Sequence, residues 1–215
     1  MELSLHENLQ RAIQELGWKT FTHVQQAAIP LAMEGKDLRV TARTGSGKTA
    51  AFLLPLLHDL VLDPDPKAGT LALILLPTRE LARQTISQIN ALGKYGHIQA
   101  ELITGGEDFK VQAARIRRNP HIIVGTPGRL LEHNEANNLF LEDVRWLVLD
   151  EADRMLDMGM GDDALALAQL CPKEVQTLLF SATTGGPALN RMVSQVLHEP
   201  VELMLDEVRG LDTHS

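Results

Sequence analysis

The sequence predicts an α/β domain built on a parallel sheet with helices on both faces, and two patterns carry that prediction. Short apolar-rich runs of β type, at 37–41, 70–76, 97–103, 121–124, 145–149 and 175–180, alternate with stretches of helical periodicity. Strands that are apolar on both faces and separated by helices form parallel sheets covered on both sides. Polar segments rich in glycine, hydroxyl or carboxylate groups follow directly after these runs, at 42–49, 77–80, 125–129, 150–153 and 181–183. In an open parallel sheet ligands bind outside the carboxyl ends of the strands, so five such segments describe a single site on one edge.

Leu5, Leu9, Ala12, Ile13 and Leu16 recur at helical spacing and Gly17 provides a C-terminal stop, so the chain opens on an amphipathic helix. A second helix is read at 25–33, and others at 48–62, 79–92, 108–117, 128–133 and 185–196. The repeated Asp-Pro pair and Gly69 mark 63–69 as an exposed loop. Met155, Met158 and Met160 are read as core, and Arg115, Arg117 and Arg118 as a solvated helix face. Residues 1–205 are expected to form one domain and 206–215 a linker or tail.

The chain has 215 residues, a formal net charge of -8, and 44% hydrophobic and 22% charged residues. A chain this long buries about 70% of the surface that its unfolded form exposes, enough for one sizeable core. No apolar run approaches the ~20 residues that a membrane helix needs, so no membrane association is expected. The first ten residues carry neither a basic cluster nor an apolar stretch of the kind that routes chains for export. A cytoplasmic monomer is the expectation. Cys171 is alone, which excludes an internal disulfide, and the eight histidines show no metal-ligand spacing. The acidic balance argues against nucleic-acid binding by bulk charge, so such a role needs a local site.

Ala42-Arg43-Thr44-Gly45-Ser46-Gly47-Lys48-Thr49 follows a strand and opens a helix, the context in which a glycine-rich loop cradles phosphates. Glycines let backbone N–H groups approach phosphate oxygens, and the helix N-terminus adds positive potential. Lys48 would reach the β- and γ-phosphates of a nucleotide, and Thr49 would offer its hydroxyl to Mg2+. Ala42 stands where the first glycine of this pattern usually falls. Downstream, Trp146-Leu147-Val148-Leu149 runs into Asp150-Glu151-Ala152-Asp153. Mg2+ takes oxygen ligands, so Asp150 is the metal-side carboxylate, and Glu151 is placed to orient or deprotonate an attacking water.

These motifs resemble the first RecA-like domain of the DEAD-box RNA helicases, and the likeness runs from about Leu5 to Leu205. It implies a RecA-like P-loop NTPase fold. By this resemblance, Gly17-Trp18 and Thr22-His23-Val24-Gln25 correspond to the adenine-binding motif, with Gln25 reading the base edge through an amide that both donates and accepts. Gln25 equally suits the cap of a helix start, and Trp18 suits the core. Phe21 replaces the family's usual proline, and the motif's upstream stacking aromatic has no counterpart. The nucleotide-binding set is then Trp18, Gln25, Thr44, Gly45, Ser46, Gly47, Lys48 and Thr49, and the catalytic set Lys48, Asp150 and Glu151. Pro77-Thr78-Arg79, Gly105-Gly106 and Thr126-Pro127-Gly128-Arg129 resemble the family's RNA-backbone contacts. Thr126 suits a helix cap with Pro127 in the first turn, leaving N–H groups for a phosphate. Contacts of this kind read sugar and phosphate rather than base. Ser181-Ala182-Thr183 resembles the motif that couples ATP turnover to strand separation, through hydrogen bonds from its hydroxyls to Asp153. Thr183 and Thr184 also suit a helix N-cap.

The function implied is that of the ATP-binding domain of an RNA helicase, with ATP and Mg2+ as cofactors and RNA as a sequence-independent partner. A second RecA-like domain of the same full-length protein, supplying arginine fingers, is a further expected partner and is absent from these residues. Arg209-Gly210-Leu211-Asp212 resembles a motif of that second domain, but it begins only 26 residues beyond Thr183, too few for the intervening domain. The isolated domain is therefore expected to bind nucleotide, to be nearly inactive in hydrolysis, and not to unwind. Two other classes share this core, a non-catalytic ATP-gated RNA clamp and a DNA translocase. Intact Lys48 and Glu151 favour the enzyme over the clamp, and the Gln25 and Ser181 motifs favour RNA over DNA by resemblance.

Overall fold

The computed structural model describes residues 3–65 and 67–205. Two helices, α1 (Glu7–Glu15) and α2 (His23–Met33), precede β1 (Leu38–Thr41). Helix and strand then alternate through α3 (Lys48–Leu62), β2 (Ala72–Leu75), α4 (Arg79–Leu92), β3 (Ala100–Ile103), α5 (Phe109–Ile116), β4 (Ile122–Gly125), α6 (Pro127–Glu135) and β5 (Trp146–Leu149). The remainder is α7 (Ala152–Asp157), α8 (Gly161–Leu170), β6 (Gln176–Ser181), α9 (Pro187–Val196) and β7 (Val201–Met204). The seven strands form one all-parallel sheet in the order β3-β4-β2-β5-β6-β1-β7.

Residues along each inner strand divide between two cores, as the two-residue period of a strand requires. Ala72 and Ile74 of β2, with Trp146 and Val148 of β5, pack into one core with Ile29 of α2, Phe52 and Leu56 of α3 and Ile89 of α4. Leu73 and Leu75, with Leu147 and Leu149, face the other, formed with Leu130, Met155, Leu167 and Leu189. Burial of each such leucine or phenylalanine contributes about 1.5–3 kcal/mol. These two apolar faces pack the sheet on both sides, and the five polar segments at 42–49, 77–80, 125–129, 150–153 and 181–183 leave it along the carboxyl edge.

Helices 48–62 and 79–92 end where the sequence predicts. Strand 97–103 shortens to β3, because His97 takes a left-handed φ of 55° in the turn after α4. Two helices and a strand escape the sequence reading. α7 and α8 lie in a stretch rich in Asp, Met and Gly, and Gly159 at φ +73° separates them. β7 is an edge strand that alternates half-buried Val201 and Leu203 with exposed Glu202 and Met204, and it pairs with β1 in the register Leu38↔Val201 and Thr41↔Met204. Its place is fixed by tertiary pairing and by the ion pair between Arg39 and Glu202 at 3.3 Å rather than by an apolar run. Met155 is fully buried as expected, whereas Met158 is 49% exposed at the end of α7 and does not belong to the core. Arg117 and Arg118 are exposed, while Arg115 is half-buried beside Glu107. The expected linker 206–215, with Arg209-Gly210-Leu211-Asp212, lies outside the described residues.

Candidate functional site

Strand order divides the carboxyl edge into two neighbourhoods. The glycine-rich loop leaves β1, Ser181 ends β6, and Asp150 follows β5, on three adjacent strands. The segments from Pro77, Gly105 and Thr126 leave β2, β3 and β4, which are also adjacent. The candidate nucleotide residues and the candidate RNA residues thus gather at opposite ends of one edge, meeting between β5 and β2.

At the nucleotide end a cavity of about 420 Å³ is lined by Trp18, Gln25, Thr44, Gly45, Gly47, Lys48, Thr49, Asp150 and Glu151, which brings together residues far apart in sequence. Leu81, Gln84, Thr85 and Gln88 of α4 line it too, and the sequence reading missed them. Their spacing of three and four residues was the available signal, since it sets them on one helix face. A larger hollow of about 750 Å³ lies at the other edge of the sheet, beside Trp146 and Gln176, and holds none of the motif residues.

Thr22 caps α2, and Gln25 completes a capping box: its Oε1 accepts from the Thr22 N–H at 2.9 Å. Its Nε2 donates across to the Gly47 carbonyl at 3.1 Å. Gln25 therefore both caps the helix and buttresses the phosphate loop. Its amide has a second donor hydrogen and a second lone pair beyond these two bonds. Trp18 is half-buried and packs against the core while lining the cavity, so both of its expected surroundings are present.

Gly47 shows why the loop must be glycine there. Its φ is +85°, and a Cβ would stand 2.7 Å from Gln25 Nε2 and 2.9 Å from Thr22 Oγ1. At Gly45, with φ +83°, a Cβ would meet nothing within 4 Å. Gly45→Ala is accordingly expected to cost only the left-handed backbone penalty, about 1–2 kcal/mol. Gly47→Ala adds the displacement of the Gln25 amide, and should melt lower than Gly45→Ala and bind Mg-ADP at least about tenfold more weakly than the unsubstituted chain. Thermal melts and calorimetric titration of the two variants check this, and equal behaviour would refute the buttress. No side chain caps the first turn of α3 at Gly47, and Ser46 Oγ is buried without a hydrogen-bond partner. Uncapped N–H groups and an orphaned hydroxyl are what an anion-binding loop presents.

Lys48, almost fully buried, spans β6 to meet the segment after β5: its Nζ lies 2.6 Å from Glu151 Oε1 and 3.0 Å from Asp150 Oδ1. Burial works against the lysine's charge, but the Asp150 charge and the Glu151 hydrogen bond outweigh it and hold its pKa above the ordinary lysine value. Burial pushes the Asp150 carboxyl up, opposed by Lys48. Glu151 adopts a left-handed backbone, φ 57° and ψ 43°, and its N–H is taken by Asp150 Oδ1 at 2.9 Å. Such a conformation is strained for a side-chain-bearing residue and gathers at functional sites. Among the described residues no cluster of three or more His, Cys, Asp or Glu could hold a metal by itself. Mg2+ characteristically takes one or two carboxylates and fills its shell with water and phosphate oxygen, so Asp150 and Thr49 beside an anion cradle fit it.

Asp153 and Thr183 meet as expected: Asp153 Oδ2 accepts from the Thr183 N–H at 3.1 Å and from its hydroxyl at 2.9 Å. The Ser181 hydroxyl departs from expectation, donating to the Thr183 carbonyl at 2.7 Å, because it is buried at the end of β6 and turned away from Asp153. Neither Thr183 nor Thr184 caps a helix, since Gly186 is the N-cap of α9.

At the β3–β4–β2 end, Pro77 is buried, and Thr78 caps α4 by accepting from Leu81 N–H at 3.3 Å. Arg79 is exposed and pairs with Glu107 at 2.8 Å. Gly105 and Gly106 are exposed after β3. Thr126 holds the N-cap position of α6 with Pro127 in the first turn, but its side chain makes no capping bond. The first-turn N–H groups of Gly128 and Arg129 are left without a side-chain cap, which strengthens rather than removes the phosphate-binding potential of that helix start.

A glycine-rich loop ahead of α3, its lysine reaching an acidic pair two strands away, places the chain among the P-loop nucleotide-binding domains. More narrowly, it belongs to the DEAD/DEAH box helicase family, whose model matches residues 22–192. It is 44% identical over 207 residues to DEAD-box ATP-dependent RNA helicase 28 of Oryza sativa subsp. japonica, covering 96% of this chain and 26% of that protein. It is also 44% identical over 203 residues to ATP-dependent RNA helicase SrmB of Escherichia coli, covering 94% of this chain and 46% of that protein. The chain thus spans less than half the length of these relatives. A crystal structure of a DEAD box protein from the hyperthermophile Methanococcus jannaschii superposes with a TM-score of 0.88 at 36% identity, over 94% of this chain and 55% of that one.

Proposed function

We propose that this chain is the ATP-binding domain of an RNA helicase, coupling the binding and hydrolysis of Mg-ATP to sequence-independent RNA binding and duplex unwinding. The observation that carries the reading is the buried contact of Lys48 with Asp150 and Glu151 beside the glycine-rich loop. Phosphate entering the loop competes with the two carboxylates for the Lys48 ammonium. Asp150, with Thr49, would then be free to hold Mg2+, and Glu151 to orient an attacking water. Mg2+, when bound, neutralises charge on the β- and γ-phosphates. Gln25 keeps a donor and an acceptor for the adenine edge, a pairing that guanine does not match.

At the other end of the edge, Arg79, Gly105-Gly106 and the start of α6 face the RNA backbone. The bond between Asp153 and Thr183 links the segments after β5 and β6, so a change of nucleotide at one is carried to the other. We further propose that a second RecA-like domain of the full-length protein closes over both ends, that residues 1–205 form one domain, and that the domain is monomeric.

Calorimetric titration of this chain with Mg-ADP and, separately, Mg-GDP tests the base-reading half of the proposal. ADP binding with little or no GDP binding is the expected result. Equal binding would mean that the phosphate loop works without adenine reading by Gln25, and would move the chain toward another class of P-loop protein.

A further inference from the structure

One buried side chain at the RNA end bonds two candidate RNA-facing segments at once. Gln112 of α5 is fully buried. Its Nε2 donates to the carbonyl of Thr104 at 2.7 Å, directly ahead of Gly105-Gly106. Its Oε1 accepts from Arg129 at 3.0 Å and lies 2.9 Å from His133 Nε2. A carbonyl partner can only accept, so the orientation of the Gln112 amide is fixed. Oε1 is then the acceptor on the other side, which places the His133 proton on Nε2 and leaves Nδ1 to accept from the Asn138 amide at 3.1 Å.

Arg129 is held from further directions by the same hub. It donates to the Glu107 carbonyl at 2.9 Å, and its guanidinium carbon stands 5.6 Å over the Phe109 ring. That ring stacks on His133 with centroids 4.0 Å apart and planes 3° from parallel. Both hydrogen bonds of Arg129 come from one terminal nitrogen, Nη1, while its buried Nε makes none and lies 3.9 Å from Glu132 Oε2. A flexible arginine that must order itself on binding loses affinity, and one already placed does not.

We propose that Gln112 is a positioning residue for RNA binding, its amide tying the Gly105-Gly106 turn to Arg129 and holding both where they meet the phosphate backbone. Gln112 touches no RNA in this scheme and acts only through Arg129 and the turn. The proposal rests on the reading of Arg129 as an RNA-backbone contact.

The test measures affinity of the chain for a short oligouridylate across a range of salt concentrations, for the unsubstituted protein, Gln112→Met, Arg129→Ala and the double variant. Gln112→Met is expected to bind roughly tenfold more weakly, the scale set by a lost hydrogen bond to a charged group. The slope of log affinity against log salt becomes shallower by about 0.7, as for one lost phosphate contact on a single strand. Mg-ADP affinity is unchanged. The double variant binds no more weakly than Arg129→Ala, the non-additivity of two residues acting as one unit. Were Gln112 merely structural, its loss would lower the melting temperature while leaving the salt slope unchanged, and that result overturns the proposal. Should Gln112→Met fail to fold, Phe109→Leu, at a half-buried position, removes the ring beneath the guanidinium and carries the same expectation. Arg129→Ala with unaltered RNA affinity, or no RNA binding by the unsubstituted chain, would defeat the RNA-backbone reading and the proposal with it. Weakening by Arg129→Ala alone, with both hub variants binding normally, overturns only the positioning role.

Discussion

The 215-residue chain is expected to bind Mg-ADP yet to hydrolyse ATP about 10³- to 10⁵-fold more slowly than a phosphoryl-transfer site completed by an arginine finger. The cavity at the nucleotide end explains why. Its lining includes Lys48 but no arginine, while Arg79 and Arg129 belong to the β2 and β4 side of the edge. Charge that spreads over the transferring phosphoryl oxygens would therefore meet Lys48 and the N-terminus of α3 and no forked donor. Catalysis of this transfer is almost wholly positioning and electrostatic stabilisation, so a missing cation is felt in the rate rather than in binding. Phosphate release measured with and without RNA, under saturating Mg-ATP, provides the check. RNA-stimulated turnover at the roughly 1–100 s⁻¹ of ordinary phosphoryl-transfer enzymes would show that the chain supplies its own transition-state cation.

What could be read from the sequence follows from how local each feature is. α3 and α4 were legible because long helical periodicity between a glycine-rich or hydroxyl start and a polar stop is a property of neighbouring residues. The β7 strand was not, since its residues, alternately half-buried and exposed, pair with β1 across the fold and carry no apolar run of their own. Strand order is non-local in the same sense. Motif spacing placed five segments on one edge, but only the order β3-β4-β2-β5-β6-β1 shows that the nucleotide and RNA candidates occupy separate halves of it. From sequence Gln25 suits both a cap and a ligand-reader; the structure shows a cap that also braces Gly47, with a second donor hydrogen and lone pair beyond these bonds. Gln112 gave no signal at all, because a buried glutamine and a solvated one look alike until the carbonyl of Thr104 and the guanidinium of Arg129 are seen on either side of it.

Lys48→Met is expected to abolish measurable Mg-ADP binding and, in metal-free buffer, to destabilise the fold more near pH 8 than in acid buffer. Removing one partner of a buried ion pair leaves an uncompensated charge, a loss of about 3 kcal/mol or more. For a domain of this size each kcal/mol lowers the melting temperature by roughly 2–4 °C, so a fall of roughly 6–12 °C is expected at the alkaline end. The pH dependence follows from the two partners. Lys48 titrates above the ordinary lysine value, so its contribution is fully present below that value and fades only as pH rises through the raised one. It is therefore constant across this window in the unsubstituted chain. Asp150 titrates above the ordinary carboxylate value because of burial, and an acid raised on folding costs stability progressively as pH rises from the ordinary value to the folded one, the cost being complete above the folded pKa. Without the Lys48 ammonium to oppose burial, Asp150 moves higher still. The variant thus carries its full penalty where Asp150 is ionised and recovers stability as acid protonates it. Melting temperatures of both proteins at the two pH values check the argument. An equal deficit at both would mean that the ionisation of Asp150 does not set the penalty, and would refute the argument.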